Sequence, residues 1–199
     1  MTVAVLYAYA DGPYAGLDGV DVWDVTRDAR TYAGPHPVVA HPPRSRWCQL
    51  AHVNQKRYGQ RVGDDGGCFA SALAAVRRFG GVLEHPAFSY AWPAFDLPRP
   101  KRAGWTRDLV TGEWVCEVSQ AAYGHAARKL TWLLYVGDVA PPKLDWSRPA
   151  ATAQVSWCAN HGHSDLPRIG KRKASETPPA FRDLLLAMAR GARAPRRAA

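Results

Sequence analysis

Short runs of apolar residues, each followed by polar or turn-forming residues, recur along the first two thirds of the chain. Such runs are typical of buried strands when Gly, Pro, Asn or Asp lie at their ends. Pro42 and Pro43 close the third run, because proline cannot donate to a central ladder of hydrogen bonds. We therefore predict strands at 3–9, 20–25, Val38–Ala40, 82–86, 115–118 and Leu130–Val136.

Two other stretches show helical periodicity. A helix is predicted at 66–79, because Gly80 and Gly81 follow it as a stop signal and its apolar residues recur at helical spacing: Phe69, Leu73, Val76 and Phe79. Near the C-terminus, Thr177 is predicted to be the N-cap and Pro178 to lie in the first turn of a helix. The apolar face of that helix consists of Phe181, Leu184, Leu185 and Met188. Residues 141–167 show little periodicity and are predicted to be irregular.

The order of these elements predicts the fold class. A helix between the third and fourth strands is typical of a parallel crossover. We expect an α/β fold: an open, mostly parallel sheet with flanking helices, similar to a truncated Rossmann-like core. The domain is predicted to span 1–167, followed by a basic helix and tail at 168–199.

Composition narrows the class of protein. The length of 199 residues allows one domain with a substantial core, and 47% hydrophobic residues are typical of a globular chain. No apolar run reaches the length of a membrane span, and the N-terminus lacks the pattern of a secretion signal. We expect a cytoplasmic protein without a membrane partner; its oligomeric state stays open.

The net charge of +9 is concentrated at the C-terminus, where residues 168–199 contain nine Lys or Arg and two Asp or Glu. A basic segment suits a polyanion, because neutralising phosphates releases counterions. Lys171, Arg172 and Lys173 are the predicted contacts to nucleic acid. A tail that only keeps the protein soluble is an equally weighted interpretation.

The four cysteines are widely spaced and contain no CxxC pair, so reduced thiols are predicted. Cys158, His161 and His163 form the only local group of metal-ligand types, but their spacing matches no zinc motif. No metal is therefore predicted. A metal-dependent hydrolase that uses these two histidines with His41 and His85 is the least favoured function.

Candidate chemistry collects where strands end. In open α/β sheets, ligands bind at the carboxyl ends of the strands. Glu84 with His85 is a predicted general acid/base pair, and His41 is a weaker catalytic candidate. The predicted substrate-binding residues are Arg44, Arg46, Trp47, Gln120, His125, Arg128 and Lys129. The arginines would bind phosphate and the indole would stack on a base, although a packed Trp under solvated arginines explains the pattern equally well.

Three motifs in this order, VVAHPPR, VLEHP and YGHAARKLTWLLYVG, resemble a shortened, phage-type DNA cytosine-5 methyltransferase core across residues 38–137. The resemblance implies that Glu84 contacts the pyrimidine and that Arg44 stands at the position of the nucleophilic cysteine. Arginine stays protonated and cannot attack, and Cys48 could replace it only in a loop of different shape.

The resemblance also implies S-adenosylmethionine as a possible cofactor. Its site would include Asp11 and Gly12 in the first loop, with Asp24 or Asp21 as the ribose acceptor. A capped or paired strand end is the structural alternative for either aspartate.

Two functions remain open. The first is a protein that binds or modifies a nucleobase in DNA or in a nucleotide; the second is a non-catalytic accessory protein that binds nucleic acid. A structural check is whether the side chains of Arg44, Glu84 and His125 face one cavity; if they point to separate surfaces, the resemblance is accidental.

Overall fold

A seven-stranded mixed sheet forms the centre of the molecule. The computed structural model describes residues 1–155 and 165–192. The strands are β1 (Val3–Leu6), β2 (Val20–Trp23), β3 (Val38–Ala40), β4 (Gly81–Pro86), β5 (Thr106–Arg107), β6 (Trp114–Ser119) and β7 (Leu130–Val136), in the order β2-β1-β3-β4-β7-β6-β5. A separate parallel pair joins β8 (Gln154–Val155) to β9 (Arg168–Ile169). The helices are α1 (Ala51–Tyr58), α2 (Cys68–Phe79), α3 (Ala91–Ala94), α4 (Lys171–Ser175) and α5 (Pro179–Gly191), with 3-10 turns η1 (Ala29–Thr31) and η2 (Gln120–Tyr123).

The sheet is parallel on one side and antiparallel on the other. β2, β1, β3 and β4 pair in parallel, whereas β7 pairs antiparallel with both β4 and β6, and β5 antiparallel with β6. The α/β prediction is confirmed, and within this seven-stranded sheet the parallel pairs are confined to the first four strands. Because β6 runs in the same direction as β4, the ends of β1 to β4 and β6 meet the start of β7 at one edge, called here the carboxyl edge.

Helices cover both faces of the sheet, as expected. α2 packs on one face, against side chains that include Leu6, Ala40 and Leu83. α5 packs on the other face, against the side chains that alternate with these along the strands, among them Val5 and Val39. Double coverage explains why the strands read as continuous apolar runs instead of alternating ones.

Several element bounds differ from the prediction. β1 ends at Leu6 because Tyr7 adopts a left-handed conformation, with φ of 63°. Pro178, and not Thr177, is the N-cap of α5, because Pro178 has an extended backbone and helical geometry begins at Pro179. Residues 154–155, predicted to be irregular, pair with β9.

The C-terminal helix belongs to the core. Phe181, Leu185 and Met188 are buried, and Leu184 is partly buried against the same cluster, so the predicted apolar face is confirmed. Within residues 1–155 and 165–192, no helix is long and apolar enough to cross a membrane.

Truncation of Phe181 tests how much α5 stabilises the fold. The side chain is fully buried, so Phe181→Ala is expected to lower the free energy of unfolding by about 3–5 kcal/mol in urea denaturation. Arg190→Ala, at an exposed position of the same helix, is expected to change it by less than about 0.5 kcal/mol. Equal effects of the two substitutions would contradict this packing.

Candidate functional site

The strand order reverses between β1 and β3. The chain passes from β1 to β2 on one side, and then crosses to β3 on the other side of β1. In doubly wound sheets such a reversal opens a crevice between the loops at the carboxyl ends of the two strands. The loop after β1 and the His-Pro-Pro turn after β3 border this position.

A chain of hydrogen bonds spans the carboxyl edge. His41 Nδ1 lies 2.9 Å from Glu84 Oε2, and its Nε2 lies 2.8 Å from the Tyr14 hydroxyl. Gln120 Nε2 donates to Glu84 Oε1 at 3.2 Å and to the Thr131 hydroxyl at 2.9 Å. We call these five residues the carboxyl-edge network. They come from the loops after β1, β3 and β6 and from strands β4 and β7, so the fold and not local sequence assembles them.

The network is buried except at its centre. Tyr14, Gln120 and Thr131 are almost completely inaccessible, whereas the side chains of His41 and Glu84 are 14% and 13% exposed. Within the described part of the chain, Gln120 Oε1 is buried without a hydrogen-bond partner. His41 and Glu84 are therefore the members that a ligand can reach.

Electrostatics keeps Glu84 ionised. Burial alone would raise its pKa, but the hydrogen bond and charge of His41, together with Lys129, outweigh burial and lower the pKa to about 2. Burial, reinforced by the negative charge of Glu84, raises the pKa of Tyr14 well above its usual value. The centre of the network is thus a carboxylate held by a histidine, and Tyr14 stays a neutral phenol.

Lys129 lies close to this carboxylate, and Arg44 lies close to Lys129. Lys129 Nζ donates to the backbone oxygens of Ser175 at 3.4 Å and Glu176 at 2.8 Å, and Arg44 Nη2 donates to the Ser175 hydroxyl at 3.0 Å. Burial lowers the pKa of Lys129, as does the charge of Arg44, while Glu84 opposes both effects. The C-terminal end of α4 therefore contacts both cations, and Glu176 just after it contacts Lys129.

Contrary to the prediction, His85 does not pair with Glu84. Successive strand residues point to opposite faces, and His85 is buried on the α2 face, where its ring stacks on Trp92 and meets the edge of Phe69. Burial lowers the pKa of His85 to about 4. The histidine that pairs with Glu84 is instead His41.

Trp47 is a structural residue of the loop, contrary to its predicted role in stacking on a base. The indole is 7% exposed, lies against Phe69 and Phe95, and donates from Nε1 to Asp65 at 2.8 Å. Arg46 beside it is half-buried. Of the three predicted ligand contacts in this loop, only Arg44 is exposed next to the network.

His125 lies in a neighbouring cavity. This cavity of about 280 Å³ is lined by Gly124, His125, Ala126, Ile169, Lys173, Glu176, Pro178 and Pro179. Neither Arg44 nor Glu84 lines it, so the expected shared cavity of these two residues with His125 is not found here. Burial lowers the pKa of His125, whose Nδ1 accepts from the Ala127 backbone. Arg128 is exposed on the same loop.

The two aspartates predicted to bind a cofactor make their contacts within their own strand end and the turn after it. Asp24 accepts from the backbone amides of Thr26 and Arg27 at 2.9 and 3.0 Å, with the Thr26 hydroxyl on its other oxygen. Asp21 is paired with Arg27. The arrangement is that of a capped strand end and does not fit a free ribose acceptor.

The first loop and α4 lie at the surface. Asp11 is exposed and lies 3.9 Å from Arg172 across the gap between the loop and α4. The backbone amide of Gly12 donates to the Tyr9 carbonyl, which closes a tight turn. Lys171 and Lys173 are exposed on either side of Arg172. Nothing in this placement builds a cofactor site from Asp11 and Gly12.

The described thiols and histidines form no metal centre. Cys48, Cys68 and Cys116 are free thiols. Across residues 1–155 and 165–192, no three His, Cys, Asp or Glu side chains are grouped to hold a metal. Cys158, His161 and His163 lie outside the described residues.

Tyr14 and Thr131 were not identified from the sequence. Tyr14 lies in the Gly- and Pro-rich stretch after β1, and its place at a strand's carboxyl end was the available signal. Thr131 occurs within an apolar strand and gave no such signal.

Comparison of the chain with protein-family models, with curated proteins and with solved structures gives no match.

Proposed function

We propose that this protein binds a pyrimidine base, carried by DNA or by a nucleotide, at the carboxyl edge and modifies it. The observation that supports this function best is the partly exposed His41–Glu84 pair at the position where strand order reverses. A carboxylate that orients an imidazole is an arrangement suited to general acid–base catalysis.

The network gives each residue a role. Glu84 accepts a hydrogen bond from the base and holds His41 at Nδ1. The substrate takes the place of Tyr14 at Nε2 of His41, and this nitrogen exchanges a proton with it. Before the substrate binds, Tyr14 and Gln120 fix the orientation of the pair. Arg44 and Lys129 bind the phosphate of the ligand in place of their contacts to Ser175 and Glu176 at the C-terminal end of α4.

The cavity that His125 lines does not include Arg44 or Glu84, so only the order of its motifs remains as support from the cytosine-5 methyltransferase resemblance. The His-Pro-Pro turn, the Glu84 strand end and the loop before β7 all come to the carboxyl edge. Without a thiol at position 44, the proposed reaction proceeds without a covalent cysteine adduct. Since Asp24 is committed to its own turn, we assign no step to S-adenosylmethionine.

A non-catalytic nucleic-acid-binding protein is the second candidate. Arg44 in place of a nucleophile and the exposed cations of α4 favour it. Binding of this kind depends steeply on salt, because each neutralised phosphate releases counterions.

Mass spectrometry of nucleosides separates the two functions. DNA is incubated with the protein and candidate group donors, S-adenosylmethionine among them, and digested; wild type is expected to yield a modified pyrimidine with one of these donors. Glu84→Gln is expected to lower the yield at least about 100-fold, as loss of acid–base catalysis does. Glu176→Gln, which removes the same charge at an exposed position nearby, is expected to retain it. Unchanged nucleosides in all samples, with salt-dependent DNA binding, would select the non-catalytic function.

A further inference from the structure

Residues 46–63 form a closed excursion from the body of the protein. The Gly63 amide donates to the Arg46 carbonyl at 2.9 Å, which brings the two ends together. Trp47, at the first end, is anchored in the core, and its carbonyl accepts from the Tyr90 amide at 2.8 Å. The base of the excursion is therefore held firmly, and α1 projects from it.

α1 presents nearly its whole surface to solvent. Ala51 is its only buried residue. Val53 is 52% exposed and Tyr58 is 64% exposed. An eight-residue helix is marginal without tertiary packing, so an exposed helix of this length, with an aromatic side chain in water, is typical of a surface that a partner covers.

The charge of this region has one sign. Between Asp28 and Asp64 the sequence contains no Asp or Glu. Lys56, Arg57 and Arg61 are exposed on and just after α1. Arg44, exposed two residues before the excursion begins, continues the basic surface. A partner of this surface is therefore a polyanion.

We propose that the excursion is a docking surface for single-stranded nucleic acid. Lys56, Arg57 and Arg61 contact successive phosphates, and Tyr58, placed among these cations, stacks on a base. Cations combined with an exposed aromatic ring are the means by which proteins bind single strands without reading sequence. The proposed base modification would also be possible on a free nucleotide. The docking surface adds a polymer, single-stranded nucleic acid, as the partner.

The distribution of apolar residues favours nucleic acid over a membrane surface. Helices that lie in a membrane interface have a broad apolar face opposite a charged one. In α1 the polar residues His52, Asn54 and Gln55 are interspersed with Val53. This helix has no continuous face that could enter lipid.

Binding of the full chain to a labelled single-stranded oligodeoxythymidine tests the charges. The triple variant Lys56→Gln, Arg57→Gln, Arg61→Gln is expected to bind at least about tenfold more weakly. Its slope of log affinity against log salt is expected to be shallower by about 2, since each lost phosphate contact contributes about 0.7. The matched control, Lys101→Gln, Arg102→Gln, Arg107→Gln, removes three exposed charges near β5 and is expected to leave affinity unchanged.

The stacking contact is tested separately. Tyr58→Ala is expected to weaken oligonucleotide binding about tenfold, whereas Tyr58→Phe retains the ring and the affinity. Unchanged circular dichroism and melting temperature show that the variants are folded. Equal losses in both triple variants, or none in the α1 triple, would overturn the proposal. The proposal would also be overturned if the α1 triple variant lost binding to phosphatidylserine vesicles but bound the oligonucleotide as wild type does. That result would assign α1 to a membrane surface. Binding is measured without turnover, so the result stands whether or not the protein modifies bases.

Discussion

Glutamine in place of Glu84 is expected to lower the free energy of unfolding at pH 7 by about 3 kcal/mol, the cost of breaking a buried ion pair. The substitution preserves shape, but it replaces one of the two acceptor oxygens with a donor amide and removes the charge that faces His41 and the half-buried Lys129. Lys129 then remains desolvated without its carboxylate. Urea denaturation at neutral pH measures this loss.

The same variant is expected to respond differently to acid. The pKa of Glu84 is about 2 in the folded protein and 4.5 in the reference state. Because the folded-state pKa is the lower one, its stabilisation is complete above pH 4.5 and disappears as the pH falls towards 2. The gap in stability between wild type and Glu84→Gln should therefore be constant near neutrality and narrow below pH 4.5.

Glu176→Gln is the matched control for this titration. It removes one carboxylate close to Lys129, but at an exposed position, where charge interactions are screened by solvent. It is expected to change stability little at any pH. A gap between wild type and Glu84→Gln that is the same at pH 7 and pH 2 would mean that Glu84 is not the stabilising charge.

The strands were predictable because they are covered on both faces. Their side chains contact α2 on one side and α5 on the other, so burial leaves a continuous apolar run in the sequence. The predicted bounds of Val38–Ala40 and Leu130–Val136 coincide with β3 and β7. A strand's composition, however, does not depend on its direction. β7 lies antiparallel between β4 and β6 because of pairing across the sheet. The local sequence pattern contains no information about that pairing.

The candidate site was predicted in part. The carboxyl edge does bring together Glu84, His41, Gln120 and Lys129. These residues were predictable because the topology of the sheet, and not local sequence detail, brings the strand ends together. The choice of His85 as the partner of Glu84 failed because sequence adjacency in a strand separates side chains onto opposite faces. Trp47 was ambiguous for another reason: a large amphipathic ring serves equally well as a core residue and as a stacking surface.

Alanine at Gly81 is expected to destabilise the protein by more than about 4 kcal/mol and to prevent recovery of folded protein at 37 °C, because it combines backbone strain with a clash. Gly81 has φ of 129°, a conformation that L side chains rarely adopt, and an added Cβ would lie 1.9 Å from the Val38 carbonyl oxygen. That carbonyl belongs to β3, where Val38 pairs with Gly81. The atom in the way is backbone, so relief requires separation of the two strands.

Gly16→Ala is the matched control, measured with Gly81→Ala by thermal and urea unfolding. Gly16 also has a positive φ, of 70°, but no atom lies within 4 Å of the added Cβ; its substitution is expected to cost about 1–2 kcal/mol from backbone strain alone. Similar losses at the two positions would contradict the close approach of β3 and β4. His41 follows β3 and Glu84 lies on β4, so any Gly81→Ala protein that folds with shifted strands should also lose the acid titration of Glu84.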